Sequence, residues 1–154
     1  MKTPRIYLDT SVFGGCFDEE FAKESLRLIE EIKVGLFLLL ISKAVVAEVD
    51  RAPAGVQKVL SDIPEVCIER LLPDPAVKVL MQAYLDAKII GPASATDAEH
   101  IAVATVARAD MIVSWNFKHI VHYEKIEGYL SVNRRLRYGE IGIYSPKQVV
   151  GYEN

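Results

Sequence analysis

The sequence predicts an α/β fold, a three-layer α/β/α sandwich around a mostly parallel central sheet. Three runs of strand length, residues 5–9, rich in strand formers, and the apolar 36–41 and 111–115, predict it, together with the helical stretches that separate them. Strands that alternate with helices pair in parallel and have both faces covered.

Residues 5–9 are rich in strand formers and run into Thr10-Ser11 and Gly14-Gly15, so a first strand should end abruptly in a loop with Asp9 at its carboxyl end. From residue 18 to 33, Phe21, Ala22, Leu26, Leu28, Ile29 and Ile32 recur near helical spacing with Glu and Lys between them, an amphipathic helix closed near Gly35. Residues 36–41 are continuously apolar, as in a strand buried on both faces. Ser42 is the N-cap of a helix over 43–51 that Pro53 stops, with Glu48 about two turns in. A short helix over 55–62 and a strand over 66–72 follow. Asp74-Pro75 opens a helix to residue 88, and Gly91 and Pro92 break 89–94 into a loop.

Ser94 or Thr96 can cap a helix running to residue 109, whose small apolar interior suits close packing on a sheet. Asp97 lies in its first turn, where the helix dipole lowers the cost of negative charge. Residues 111–115 form the next strand with Asn116 at its end, 122–137 suit a helix and 141–144 a last strand. Ligands of such sheets bind beyond the carboxyl ends of the strands where the strand order reverses, and Asp9 and Asn116 fall at such ends.

With 154 residues, 51% of them apolar, the chain has the size of a single domain with a substantial core. The formal net charge of −3 supplies no global attraction to a polyanion, so contact with nucleic acid must come from local cations or a bound metal. Cys16 and Cys67 show no paired spacing, and two reduced thiols in a cytoplasmic protein are expected rather than a zinc site or a disulfide framework. No signal-peptide pattern precedes residue 6, and the longest apolar run, 34–41, is too short to cross a bilayer.

Taken singly, each acid has an ordinary explanation. Asp9 can cap a turn with Thr10 or Ser11, Glu48 can decorate an exposed helical face, and Asp97 can favour a helix N-terminus. Gathered into one crevice, the three would repel and raise one another's pKa, a penalty that a divalent cation removes. Hard oxygen donors suit Mg²⁺ or Mn²⁺, which keep waters for a phosphate and a nucleophile, so metal-assisted hydrolysis is the expected chemistry.

Four segments, in order, resemble the PIN domain family and within it the VapC-type toxin ribonucleases. Ile6-Tyr7-Leu8-Asp9-Thr10-Ser11-Val12 is similar to the opening strand with its first acid. Ser42-Lys43-Ala44-Val45-Val46-Ala47-Glu48-Val49 is similar to the second-acid helix. Thr96-Asp97-Ala98-Glu99-His100-Ile101-Ala102-Val103-Ala104 resembles the third-acid helix, and Ala109-Asp110-Met111-Ile112-Val113-Ser114-Trp115-Asn116 the following strand and loop. The resemblance implies a PIN-like sandwich, metal-dependent endoribonuclease activity leaving a 5′-phosphate and a 3′-hydroxyl, a homodimer, and often a neutralising antitoxin. Asp9, Glu48 and Asp97 would be the catalytic metal ligands, assisted by Asn116. Many members carry aspartate where Asn116 stands, and an amide offers a carbonyl oxygen without the charge.

Asp50 and Asp110 read as structural or solvated, and His100 as a surface or packed histidine that could instead touch substrate. Thr10 and Ser114 either hydrogen-bond a ligand water or cap turns. Lys118, His119, His122 and Lys125 follow Asn116 closely and would surround the mouth of the crevice, with Lys118 and His119 as candidate RNA contacts. Arg134-Arg135-Leu136-Arg137-Tyr138 is a second basic stretch with an aromatic able to stack on a base, or a solvated helix end whose cations suit the dipole. Tyr7, Trp115 and Phe117 are expected in the core or the crevice wall.

Two rivals stand beside this reading. One is a catalytically weakened PIN-like protein that binds RNA or an antitoxin, motivated by Asn116. The other is an aspartyl-phosphate phosphatase using Asp9, which lacks its usual second acid because position 11 is Ser11.

Overall fold

The structure is a computed structural model and describes residues 2–150 of the 154. Among them are five strands: β1 (Arg5–Leu8), β2 (Leu38–Ile41), β3 (Ile68–Arg70), β4 (Met111–Val113) and β5 (Gly142–Tyr144). They form one sheet in the order β3-β2-β1-β4-β5, with every neighbouring pair parallel. β1 is central: Tyr7 stands opposite Leu40 on one side and Ile112 on the other. Ile6, Tyr7, Leu8, Leu39, Leu40, Ile112 and Val113 are fully buried, as continuous apolar strands in a doubly covered sheet must be.

The helices are α1 (Thr10–Gly15), α2 (Ala22–Lys33), α3 (Lys43–Asp50), α4 (Ala54–Ser61), α5 (Ala76–Asp86), α6 (Ala95–Val106), α7 (Tyr123–Arg135) and α8 (Pro146–Val149). Right-handed crossovers decide where they lie. The chain steps from β1 through β2 to β3 in one direction, then returns past β1 to β4 and β5 in the other. The two directions put α1–α4 on one face and α5–α7 on the opposite one, in agreement with α1 packing on α2, α3 and α4 and α5 packing on α6 and α7. The result is the α/β/α sandwich expected from the sequence.

Local chemistry explains several boundaries. Ser42 caps α3 by accepting the Val45 N–H at 3.2 Å, a bond of the kind that contributes about 1 kcal/mol. α6 ends at Val106 rather than running to residue 109, because Arg108 adopts φ 58° and turns the chain into β4. Arg137, at φ 68°, follows the end of α7 in the same way.

Several expectations are corrected. The segment after β1 is the helix α1, not a loop, because Val12 and Phe13 bury completely and carry the chain straight back onto the sheet. The close approach of Gly15 to Ser25 and Trp115 explains the glycine there better than a turn does: an added Cβ would lie 2.6 Å from Ser25 Oγ. The strand over 66–72 shrinks to β3, preceded by a 3₁₀ turn at Glu65–Cys67. Ser94 occupies the cap position of α6 without bonding a helix N–H, its hydroxyl lying 3.3 Å from His119 Nε2 instead. Phe117, expected in the core or crevice wall, is about half exposed. Among the described residues no helix is long and apolar enough to cross a membrane.

Candidate active site

The strand order reverses between β1 and β4, and the residues that leave their carboxyl ends meet there. Asp9 continues β1 by one rung, its N–H donating to Val113 O at 3.3 Å. Beyond β4, Ser114 N donates to Tyr144 O, and Trp115 N turns away to Ser11 Oγ at 2.9 Å. The crevice expected at this switch point is therefore edged by Asp9 on one strand and by Ser114 and Asn116 on the other.

Tyr7 and Asp9 are two residues apart on an extended segment, so their side chains share a face of the sheet. Asp9 is only 5% exposed. Its Oδ1 accepts from Ser11 Oγ at 2.6 Å and its Oδ2 from Ser114 Oγ at 2.9 Å, both neutral hydroxyls. Burial holds the Asp9 carboxyl above its ordinary pKa against these hydrogen bonds and the charge of His100, and the negative charge of Asp97 adds to the rise. Among the described residues no lysine or arginine pairs with Asp9 or Asp97.

Asp97, in the first turn of α6, accepts from Asn116 Nδ2 at 3.0 Å. Asn116 joins the site through its amide nitrogen. Its carbonyl oxygen accepts the Lys118 and His119 N–H groups at 3.1 and 2.9 Å and shapes the turn after β4. Because Asn116 N also donates to Ser114 Oγ at 2.9 Å, a continuous chain of bonds runs from Asp97 through Asn116 and Ser114 to Asp9.

Glu48 enters from α3. Its Oε1 accepts from Thr10 Oγ1 at 2.9 Å and lies 2.7 Å from His100 Nε2. His100, on α6 one turn beyond Asp97, is 2% exposed, and its Nδ1 is 2.7 Å from the Tyr7 hydroxyl, which is 2.8 Å from Ser42 Oγ. The His100 bond is the main reason the Glu48 carboxyl sits below its ordinary pKa; burial opposes it, and Thr10 and Arg51 assist. Burial works against protonation of His100, but the bond to Glu48 and the charges of Asp9, Glu48 and Glu99 outweigh it and raise the imidazole pKa.

Asp9 and Asp97 are thus joined by a hydroxyl and amide bridge, and Glu48 belongs to a separate line through His100 to Tyr7, two residues before Asp9. Among the described residues no group of three or more His, Cys, Asp or Glu side chains is spaced to hold a metal ion. Mg²⁺, however, is ordinarily held by one or two carboxylates and keeps several waters, so a full protein cage is not required. The donor types fit such a hydrated ion. A buried carboxylate whose hydrogen-bond partners are neutral hydroxyls, with a second acid acting on it, gains from a hard cation.

The other residues singled out by sequence lie as follows. Lys118 and His122 are exposed and His119 is half-buried, its Nδ1 buried without a hydrogen-bond partner. Lys125 donates to Ile89 O, and Arg134, in the second basic stretch, pairs with Glu140. Asp110 accepts the Arg5 N–H, a structural role, and Asp50 is exposed. His100 is packed rather than superficial, and its links to Tyr7 and Ser42 escaped the sequence reading. The i, i+3 spacing of Asp97 and His100 and the period-two spacing of Tyr7 and Asp9 were the available signals. No family model matches the chain, and no curated protein matches it.

Proposed function

We propose that the protein is a metal-dependent endoribonuclease of the PIN type, with Asp9, Glu48 and Asp97 as its acidic set and Mg²⁺ or Mn²⁺ as cofactor. The observation that carries this reading is Asp9: a carboxylate buried at the strand-order switch point, bonded only to Ser11 and Ser114 and raised in pKa in part by Asp97. Buried carboxylates are ordinarily paired with a cation or a metal, and among the described residues no lysine or arginine pairs with Asp9, the charge of His100 acting on it without a hydrogen bond.

A bound Mg²⁺ or Mn²⁺ supplies an activated water and offsets the charge that develops on the phosphate oxygens. The chain's own residues do the rest. Asp9 and Asp97 supply negative oxygens at the ends of β1 and α6, and Glu48 supplies a third from α3. Ser114 and Thr10 orient Asp9 and Glu48 rather than reaching for substrate, and Asn116 orients Asp97. Lys118, exposed just beyond the turn that Asn116 shapes, is available to a phosphate of the RNA backbone, and His119 stands beside it. A homodimer, a cognate antitoxin and a cytoplasmic location belong to the same reading and rest on the family resemblance alone.

Purified protein should cleave single-stranded RNA with Mn²⁺ or Mg²⁺ and stop with EDTA, and Asp9→Asn and Asp97→Asn should lose cleavage by at least about 100-fold. Unchanged activity in either variant would show that the assignment of that residue is wrong. One observation favours a second reading, a PIN-like protein that binds RNA or an antitoxin without turnover: Asn116 already satisfies an oxygen of Asp97 that an ion would use. Absence of Mn²⁺ uptake at millimolar concentration, measured by calorimetry, would select that reading.

A further inference from the structure

Glu48 presents two oxygens of unequal standing. Oε1 is met by both Thr10 and His100, while among the described residues Oε2 accepts no hydrogen bond, and the side chain is 27% exposed. An acid on a short helix with that much exposure would ordinarily sample several rotamers, and ordering it costs side-chain entropy. Something must hold it. The bonds behind His100 form an unbroken line: Val45 N–H to Ser42 Oγ, Ser42 to the Tyr7 hydroxyl, Tyr7 to His100 Nδ1 and His100 Nε2 to Glu48.

Donor counting fixes what this line does. A carboxylate only accepts, so His100 must carry a proton on Nε2. With a neutral ring, Nδ1 accepts from Tyr7, whose oxygen accepts in turn from Ser42. With a charged ring, Nδ1–H donates to Tyr7, and Tyr7 donates to Ser42. Ser42 Oγ has room for the Val45 N–H in either case, and the Nε2–H never leaves Glu48. The opposite neutral tautomer would leave a bare nitrogen facing a carboxylate and is excluded.

We infer that Tyr7 and His100 are positioning residues for Glu48: the line from the α3 cap through both rings pins Oε1, with Thr10 on the same oxygen, and leaves Oε2 as the oxygen Glu48 offers to a ligand. The inference rests on the proposed metal-dependent reading for its purpose, but not for its geometry. The line is anchored in three rigid elements, β1 through Tyr7, α6 through His100 and α3 through its cap Ser42, Val45 and Glu48. It resembles the outer partners of metal ligands, whose removal typically costs 10–100-fold in metal affinity.

Two measurements test it. Nitrogen-15 NMR of the metal-free protein should show His100 protonated at Nε2, with a proton that exchanges slowly with water, and Tyr7→Phe, which keeps the buried ring, should speed that exchange by at least about tenfold. A ring protonated only at Nδ1, or exchange indifferent to Tyr7→Phe, overturns the proposal. The second measurement is Mn²⁺ affinity by calorimetry on variants first checked for cooperative melting. His100→Asn, too short to reach Glu48, should bind Mn²⁺ about 10–100-fold more weakly, while His100→Gln, whose amide can stand where Nε2 stands, should recover most of the loss. Wild-type affinity in His100→Asn overturns the proposal. A wild-type chain that shows the Nε2 proton and its dependence on Tyr7 yet takes up no Mn²⁺ would overturn the nuclease reading and uphold the positioning of Glu48.

Discussion

Asn116 donates its side-chain N–H to Asp97 Oδ1 at 3.0 Å, tying the end of β4 to the first turn of α6. Asn116→Asp would keep the Oδ1 contacts to Lys118 and His119 N–H and replace the amide donor with a second carboxylate against Asp97. Two acids in contact repel, and one is driven toward protonation. The metal-free variant should therefore melt a few degrees lower, for a loss of about 1–2 kcal/mol, and should bind Mn²⁺ roughly tenfold more tightly or better. Thermal melts and a Mn²⁺ titration check both halves, and unchanged affinity would remove Asn116 from the account of the site.

Arg5 is a second junction, this one remote from the crevice. Its guanidinium makes two bonds to Glu69 on β3, at 2.9 and 2.7 Å, and two to the Ala107 and Arg108 carbonyls beyond α6. Arg5→Ala should cost about 1–3 kcal/mol in urea melts, and Arg5→Lys should recover only part, because an ammonium cannot reproduce the planar fork. The bond from Arg5 is the first cause of the lowered pKa of Glu69. A lowered folded-state value means that this stability is present above the unfolded pKa and is lost as pH falls through the folded one. The pair is partly exposed, so its own share is below about 1 kcal/mol and screened by salt. The gap between wild type and Arg5→Ala should narrow in acid accordingly.

The strands that build the crevice were legible because each is an unbroken apolar run, and Asp9 and Asn116 stood out as polar residues at the points where those runs stop. α1 was not legible. Thr10-Ser11 and Gly14-Gly15 are turn formers, and what makes the segment helical is burial of Val12 and Phe13 with close packing of Gly15 on Trp115, contacts about 100 residues apart in the chain. Glu48 was visible as an acid but not as a partner of His100, nor His100 as a partner of Tyr7, since hydrogen bonds from α3 and β1 to α6 leave no period in the sequence. Of the basic residues after Asn116, Lys125 donates to the Ile89 carbonyl, a contact 36 residues back in the chain that sequence spacing does not show.

Gly15→Ala tests the same contact from the other side. The new methyl would stand 2.6 Å from Ser25 Oγ and 2.8 Å from Trp115 Nε1, atoms that are themselves hydrogen-bonded to each other at 2.7 Å. Ring and hydroxyl must both move, a cost of about 1–3 kcal/mol. Trp115 follows Ser114 directly and is bonded to Ser11, so the shift should reach both hydroxyls that hold Asp9. A lowered melting temperature together with weakened Mn²⁺ uptake is the expected pair of results, and a neutral substitution would contradict the packing.

Asp9→Asn should make the metal-free protein more stable at neutral pH. The folded-state pKa of Asp9 is raised above its unfolded value, chiefly by burial. A group of that kind contributes stability that is complete below the unfolded pKa and is lost as pH rises through the folded value, so with rising pH the wild type acquires a buried charge that the amide variant does not. Ser11 and Ser114 can serve the amide by turning one hydroxyl from donor to acceptor. Melts from pH 4 to 8 without metal should show the variant gaining on the wild type as pH rises. Mn²⁺ at about a hundredfold excess over its dissociation constant should reverse the order, because the wild type then gains about 2.7 kcal/mol of binding stabilisation that the variant lacks. If Asp9→Asn instead destabilises the metal-free protein at every pH, the carboxylate is already balanced by its hydroxyls and needs no cation.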